Sequence, residues 1–91
     1  MRITFDPAKN EKNIRERGLS FERAVEFDFD TAVTEPEYRQ GEWRFVAKGF
    51  LGDRLHVLVF LDFGEDIRVI SFRKANQREG RSYEESRRNL E

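Results

Sequence analysis

The residues best suited to chemistry lie together near the end of the chain, in the segment 73–79. Its sequence, RKANQRE, contains two arginines, one lysine and one glutamate. A guanidinium fork matches the oxygens of a phosphate, and free amides at the start of a helix also attract an anion. No glycine or proline separates this segment from the apolar run 67–72. The pattern predicts a phosphate site where a strand passes into a helix, although the same charges could form ordinary surface ion pairs.

A second polar group recurs every four positions near the start of the chain. Lys9, Asn13 and Arg17 would lie along one face of a helix. That face could bind phosphates or sugars that flank a reaction centre. Residues with this spacing also form ordinary solvated helix surfaces, so spacing alone is compatible with both interpretations.

His56 is the only histidine, and it lies within the most apolar segment of the chain. A lone histidine in such a strand is more often packed or hydrogen-bonded than catalytic, so we do not expect it to act as a base. The chain also has no cysteine and no phosphate-loop or dinucleotide glycine pattern. These features argue against a metal and against a bound cofactor.

Helix caps predict the first elements that would position these residues. After an alternating strand at Arg2–Phe5, Asp6 and Pro7 form a strong helix start. The helix should end at Gly18, and Ser20 should cap a second short helix.

Breakers and apolar runs predict the remaining elements. Pro36 should end one strand, and a polar loop through Gly41 should follow. The predicted strands are 31–34, 42–50, 54–62 and 67–72, and the terminal helix is 74–88. Three of these strands form an antiparallel meander. The expected class is α+β, with two N-terminal helices and one C-terminal helix around the sheet.

Length and charge bound the function. We expect the 91 residues to form one domain, 1–91. The net charge of −1 argues against a globally basic nucleic-acid binder, but residues 68–91 hold seven basic and four acidic side chains. An RNA site must therefore be local and sensitive to salt, whereas the acidic remainder could meet a basic partner. The lack of cysteine suits a reducing cytoplasm, and residues 1–5 lack the apolar stretch of a signal peptide.

Three spaced groups of residues form one recognisable pattern over almost the whole chain. The first is Phe5, Asp6, Pro7, Lys9, Asn13, Arg17, Gly18, Ser20, Phe21 and Ala24; the second is Glu42, Arg44 and Gly49; the third is Arg68, Ile70, Ser71, Arg73, Ala75, Arg78, Glu79 and Tyr83. Together they resemble the BrnT toxins of bacterial type II toxin–antitoxin systems.

This resemblance implies a fold, an activity and partners. The fold would be a RelE-like antiparallel sheet flanked by helices. The activity would be cleavage of RNA without a metal, which inhibits translation. A BrnA-like ribbon-helix-helix antitoxin would block it in a cytoplasmic complex of two toxins and two antitoxins, and operator DNA would be bound only through the antitoxin, with no membrane involved.

Candidate roles follow if the RNA's own 2′-hydroxyl attacks the adjacent phosphate. Arg44 and Arg73 would hold that phosphate, with Arg78 assisting from the helix. Glu79 would be the general base, or it would instead pair structurally with an arginine. The residues expected to bind flanking RNA are Lys9, Asn13, Arg17, Lys74 and Tyr83. Tyr83 could also orient Glu79 or Arg78.

Two further expectations concern single residues. Arg17 stands where the family usually has histidine, which removes a group able to exchange protons near neutral pH. The alternative function is therefore a catalytically weakened or inactive antitoxin-binding module. In a regular strand, Arg68 and Arg73 would point to opposite faces unless a bulge intervenes.

Overall fold

The computed structural model describes residues 1–90, which form a five-stranded sheet packed with helices. The strands are β1 (Arg2–Phe5), β2 (Val33–Arg39), β3 (Glu42–Leu51), β4 (Arg54–Asp62) and β5 (Asp66–Lys74). The helices are α1 (Pro7–Arg17), a 3₁₀ helix (Phe21–Glu26) and α2 (Gln77–Leu90). This order confirms the predicted sequence of one strand, two helices, four strands and a helix. Within residues 1–90, no helix is both long and apolar enough to cross a membrane.

The sheet has the order β1-β5-β4-β3-β2. Strands β2 to β5 form an antiparallel meander of four strands, one more than predicted, and β1 pairs with β5 in parallel. The α+β class is therefore confirmed, with a sheet that is mostly antiparallel.

The predicted caps are present at both early helices. The Asp6 carboxylate accepts a hydrogen bond from the Ala8 amide, and α1 ends at Gly18 with a left-handed φ of 66°. The Ser20 hydroxyl accepts from the Glu22 amide and opens the second helix, which is a single 3₁₀ segment. These local contacts fix where α1 stops and where the chain turns back over the sheet.

The prediction that Pro36 ends a strand was wrong. Pro36 lies inside β2 and pairs with Phe45 of β3. Because β2 is an edge strand, a proline nitrogen that faces away from β3 removes no ladder hydrogen bond. The predicted polar loop is reduced to a tight turn at Gln40 and Gly41, whose φ angles are 53° and 79°.

One face of the sheet packs against α1 and the 3₁₀ helix to form the core. Gly49 of β3 is essential to this packing, because a Cβ there would lie 2.6 Å from Cζ of Phe27. The core residues are Leu19, Phe21, Ala24, Phe27, Ala47, Leu51, Leu58, Phe60, Ile67, Val69 and Phe72. The C-terminal helix α2 packs on the opposite face, where Tyr83 contacts Phe50 edge to face.

A β-bulge interrupts β5 at Ile70. Val69 pairs with Phe60, and Ser71 pairs with Val59, so Ile70 has no partner in β4. The extra residue shifts the alternation by one position. Arg68 and Arg73 consequently share the face opposite the core, which is the outcome expected for a bulged strand and not for a regular one.

The passage from β5 to α2 comes two residues later than the sequence predicted and is one residue longer. The strand continues to Lys74, and the helix begins at Gln77. Asn76 caps it, since its side-chain oxygen accepts from the Glu79 amide while Glu79 Oε1 accepts from the Asn76 amide. This reciprocal capping box fixes the position of Glu79 relative to the end of β5.

Candidate functional site

A cleft of about 580 Å³ lies where the end of α1 and the 3₁₀ helix meet the ends of β4 and β5. We call it the cationic cleft. Four of its lining side chains are cations, and none of the described residues that line it is acidic. The lining residues are Arg17, Gly18, Leu19, Arg23, Leu51, His56, Arg73 and Lys74. Such a concentration of positive charge favours an anionic ligand.

Arg73 lines the edge of the cleft, and Glu79 holds its side chain on the α2 face of β5. The two groups form a bidentate pair, with Nη1 to Oε1 at 2.8 Å and Nη2 to Oε2 at 2.7 Å. Nη1 also donates to the Lys74 carbonyl at 3.3 Å. A guanidinium has five N–H groups, so within residues 1–90 the Nε–H and one Nη2–H have no partner. Arg73 is therefore oriented and retains donors for a phosphate.

The same pair changes the interpretation of Glu79. Its hydrogen bonds to Arg73 and to the Asn76 amide lower the pKa of Glu79 to about 2, well below its ordinary value of 4.5. A carboxylate with such a pKa is a weak base at neutral pH. The geometry thus fits structural pairing and not the role of general base. The start of α2, which we expected to attract a phosphate, is already occupied by this carboxylate.

Arg17 and Arg23 approach the cleft from the two N-terminal helices. Arg17 is exposed, and its Nη1 donates to Asn13 Oδ1 at 2.9 Å. Arg23 forms an exposed pair with Glu26 at 3.1 Å, a type of contact that contributes little stability. No signal in the sequence indicated Arg23, because its approach to β5 depends on the path of the 3₁₀ helix.

Asn13 was predicted to bind RNA, and in the structure its polar side chain is directed into the fold. The side chain is 6% exposed, and its Nδ2 donates to the carbonyls of Leu19 and Phe72 at 2.8 and 2.9 Å. Asn13 therefore fastens α1 to the part of β5 that extends beyond β1. Lys9 is exposed and lines a shallow groove between α1 and β5 together with Arg17, so the predicted helix face is divided between core and surface.

Tyr83 was also predicted to bind RNA, and its hydroxyl likewise has a partner within the fold. Tyr83 is 7% exposed, and its hydroxyl donates to the Thr31 carbonyl at 2.9 Å. It fastens α2 to the loop before β2 and orients neither Glu79 nor Arg78. Arg78 itself is exposed on the first turn of α2, and within residues 1–90 its side chain makes no hydrogen bond.

A second concave region lies between α2 and the strands β2 and β3. We call it the acidic groove. Its volume is about 120 Å³, and it contains two carboxylates and one lysine. The lining residues are Val33, Glu35, Glu37, Val46, Lys48 and Ser86.

Arg44 belongs to this second region. Its Nε donates to Glu37 Oε1 at 3.1 Å. Val57 pairs with both Lys48 and Arg73, so the cross-strand row of Arg73 contains Lys48 and not Arg44. Arg44 lies four residues along β3 from Lys48, which is about 13 Å, and β3 is two strands from β5, which is about 10 Å. The Cα atoms of Arg44 and Arg73 are therefore about 16 Å apart. The structure does not bring the two predicted phosphate ligands together.

His56 is packed and hydrogen-bonded, as expected. It is 5% exposed, and its Nδ1 lies 2.8 Å from the Arg54 carbonyl. Its ring also packs near Phe72, with centroids 5.6 Å apart. Its presence in the wall of the cationic cleft was not expected. This position follows from the register of His56 with Lys74 across β4 and β5. The sequence alone does not show that register.

Among residues 1–90, no group of three or more His, Cys, Asp or Glu side chains is arranged to hold a metal ion. The cleft therefore offers cations and one imidazole to a ligand. This donor set suits a phosphate-containing molecule.

A solved structure with the same fold defines the class of protein. The 1.1 Å crystal structure of the Brucella abortus ribonuclease toxin BrnT matches with a TM-score of 0.68 and 30% identity. The match covers 85% of this chain and 99% of that one. The chain thus shares the α+β fold of a bacterial toxin.

A family model for the ribonuclease toxin BrnT of type II toxin–antitoxin systems matches residues 5–79. The chain belongs to the BrnT family and is a type II toxin. A toxin of this class implies an antitoxin partner. A search of curated proteins finds no match to the chain.

Proposed function

We propose that this toxin is a ribonuclease that cleaves RNA without a metal ion and thereby inhibits translation. The observation that carries the proposal is the cationic cleft, in which four cations converge with no acidic side chain among the described lining residues. Cleavage would proceed by attack of the RNA 2′-hydroxyl on the adjacent phosphate. This reaction needs orientation of the phosphate and stabilisation of a dianionic phosphorane, and fixed guanidinium groups supply both.

Arg73 is the principal phosphate ligand in this proposal. Glu79 holds its guanidinium from one side through two short hydrogen bonds, which leaves Nε–H and one Nη2–H for the substrate. Lys74 and Arg17 add charge from the adjacent walls. An arginine that is already oriented loses little further freedom when it binds, so its interaction with the transition state is strengthened.

RNA beyond the cleft would follow exposed cations. Lys9 extends the positive surface along α1, and Arg78 extends it along the first turn of α2. Contacts of this kind bind the backbone without reading sequence. Asn13, Tyr83 and Arg44 are assigned no contact with the scissile phosphate, because two of them are buried and the third pairs with Glu37.

The implied antitoxin is proposed to be a BrnA-like ribbon-helix-helix protein in a cytoplasmic complex of two toxins and two antitoxins. Operator DNA would be bound only through the antitoxin. The acidic groove supports a basic partner, since Glu35 and Glu37 lie on the edge strand β2.

The second candidate function is an antitoxin-binding module that no longer cleaves RNA. The bound state of Glu79 favours it, because a carboxylate with a pKa of about 2 does not serve as a base at neutral pH. The replacement of the usual family histidine by Arg17 acts in the same direction.

Purified toxin, separated from its antitoxin, should be incubated with a defined single-stranded RNA in EDTA. Arg73→Ala tests the cleft, and Arg39→Ala at the end of β2 removes an arginine outside it. We expect cleavage by the parent and by Arg39→Ala, and a loss of about 10²- to 10³-fold in Arg73→Ala.

Equal cleavage by all three proteins would overturn the assignment of the cleft. If the parent leaves the RNA intact, the ribonuclease proposal fails, and the binding module is then tested by co-purification with a ribbon-helix-helix protein. Capture of that protein by a toxin without nuclease activity would support the second function.

A further inference from the structure

His56 has a defined tautomer. The Arg54 carbonyl can only accept a hydrogen bond, so the Nδ1 that lies 2.8 Å from it must be the protonated nitrogen. In the neutral ring, the lone pair is then on Nε2. A backbone contact of this kind also fixes the plane of the imidazole.

Nε2 is the other nitrogen of the ring. It makes no hydrogen bond to residues 1–90. Among those residues, every side-chain nitrogen or oxygen that is fully buried does have a hydrogen-bond partner. Nε2 must therefore be accessible to solvent, although the residue as a whole is 5% exposed. Since His56 lines the cationic cleft, the cleft is where this nitrogen is reached.

Charged groups surround His56 on every element packed against it. They are Arg17 on α1, Arg23 on the 3₁₀ helix, Arg54 on β4 and Lys74 on β5; the Arg73 side chain lies on the other face of β5. Lys74 is its direct cross-strand partner. Burial, and then the cations Arg54, Lys74 and Arg23, lower the pKa of His56 from its ordinary value of 6.5. The imidazole is therefore neutral at pH 7, in the state that can accept a proton.

We propose that Nε2 of His56 is the general base that accepts the proton of the RNA 2′-hydroxyl. This inference rests on the proposed ribonuclease function and names a base for it. The 2′-oxygen forms a bond to phosphorus as its proton moves to Nε2. The bond from phosphorus to the 5′-oxygen breaks, and the leaving 5′-oxygen takes a proton from solvent. The products are a 2′,3′-cyclic phosphate and a 5′-hydroxyl.

The cations explain why a base with a lowered pKa can work here. A substrate phosphate bound beside Lys74 and Arg17 adds negative charge near the ring, which favours the imidazolium that forms as the proton is transferred. The base is thus neutral in the free cleft and better able to hold a proton once RNA is bound. His56 supplies the proton-accepting group that is missing at position 17.

The kinetic test uses His56→Asn, whose amide nitrogen can retain the hydrogen bond to the Arg54 carbonyl but cannot titrate. We expect its cleavage rate in EDTA to fall by about 10²- to 10⁴-fold, with an unchanged dissociation constant for a 2′-deoxy RNA analogue. The parent should lose kcat/KM on the acidic side below pH 6.5, and the variant should lack this limb. An unchanged rate and pH profile in His56→Asn would overturn the assignment.

Because His56 is the only histidine, its imidazole resonance can be followed by NMR in the unmodified toxin. We expect inorganic phosphate to raise the pKa of His56 by about one unit in a saturable manner. A resonance that does not respond to phosphate would contradict the proposal even if His56→Asn fails to fold.

The two levels of inference fail in different ways. If the parent does not cleave RNA, the ribonuclease proposal and the assigned base fall together. If the parent cleaves and His56→Asn cleaves equally well, the ribonuclease proposal stands and only the base is wrong.

Discussion

The cationic cleft and the acidic groove both contain basic side chains, but carboxylates line only the groove. Four cationic residues line the cleft, with no acidic lining residue among those described. In the groove, Lys48 lies beside Glu35 and Glu37, and Arg44 pairs with Glu37 at 3.1 Å. The lesson is that cross-strand neighbours, and not the count of charges along the chain, decide which arginine can bind a phosphate.

The Glu79 carboxylate qualifies this contrast, because it also pairs with an arginine. The Arg73–Glu79 pair has two hydrogen bonds, and Glu79 also takes part in a helix cap. Arg44 donates one hydrogen bond to Glu37. Glu79 therefore orients Arg73 without removing all of its donors. Glu37 mainly neutralises Arg44 on the side of the sheet far from His56.

The largest expected difference between the two regions is catalytic. We expect Arg44→Ala to lower RNA cleavage by less than about threefold, compared with about 10²-fold or more for Arg73→Ala. The reason is the separation of the two arginines on the sheet. The measurement is kcat/KM on one RNA substrate in EDTA, and equal losses in the two variants would show that the groove and the cleft act on the same phosphate.

The two ion pairs should also differ in their contribution to stability. The folded-state pKa of Glu79 is about 2, below its ordinary 4.5, so its contribution is present above pH 4.5 and is lost as the pH falls towards 2. Since Arg73 is partly exposed, solvent screening leaves about 1 to 2 kcal/mol. Urea denaturation should show Glu79→Gln less stable than the parent by this amount near pH 7, and nearly equal to it near pH 2.

Glu37→Gln is the matched control from the acidic groove. Its side chain is 43% exposed, so we expect a change below about 0.5 kcal/mol near pH 7. A larger loss in Glu37→Gln than in Glu79→Gln would reverse the comparison between the two pairs.

The smallest expected effect concerns binding. Lys74→Ala should weaken binding of a 2′-deoxy RNA analogue several-fold and reduce the slope of log K against log salt by about 0.7, the value for one phosphate contact with a single strand. Lys48→Ala should leave that slope unchanged, because Lys48 donates to Ser82 at 3.2 Å within the groove. Fluorescence anisotropy at several salt concentrations measures both. Equal slopes for the parent and Lys74→Ala would remove Lys74 from the site.

Local signals in the sequence predicted much of the fold. Asp6, Gly18 and Ser20 fix the helix ends through contacts with their own neighbours. Their residue types alone therefore predicted where the helices begin and end. Pro36 misled because its effect depends on whether its strand is at an edge. That property belongs to the order of strands, which no short stretch of sequence contains.

The candidate site was predictable only in part. Arg73, Lys74 and Glu79 lie on one continuous segment, and their proximity followed from the sequence. Asn13 and Tyr83 carry polar groups suited to RNA, but their partners are backbone carbonyls of distant segments. The position of His56 in the cleft required the register of β4 against β5, so it could not be inferred from a lone histidine in an apolar run.

The extra residue in β5 gives the strand a position that evolution can remove. Deletion of the codon for Ile70 would leave Val69 and Ser71 adjacent, opposite Phe60 and Val59, so Phe72 would stay in the core and Arg73 would keep its side. Such a deletion would straighten the strand and retain both the fold and the site. A point substitution in the cleft, by contrast, could disarm the toxin and preserve a folded surface that still sequesters antitoxin.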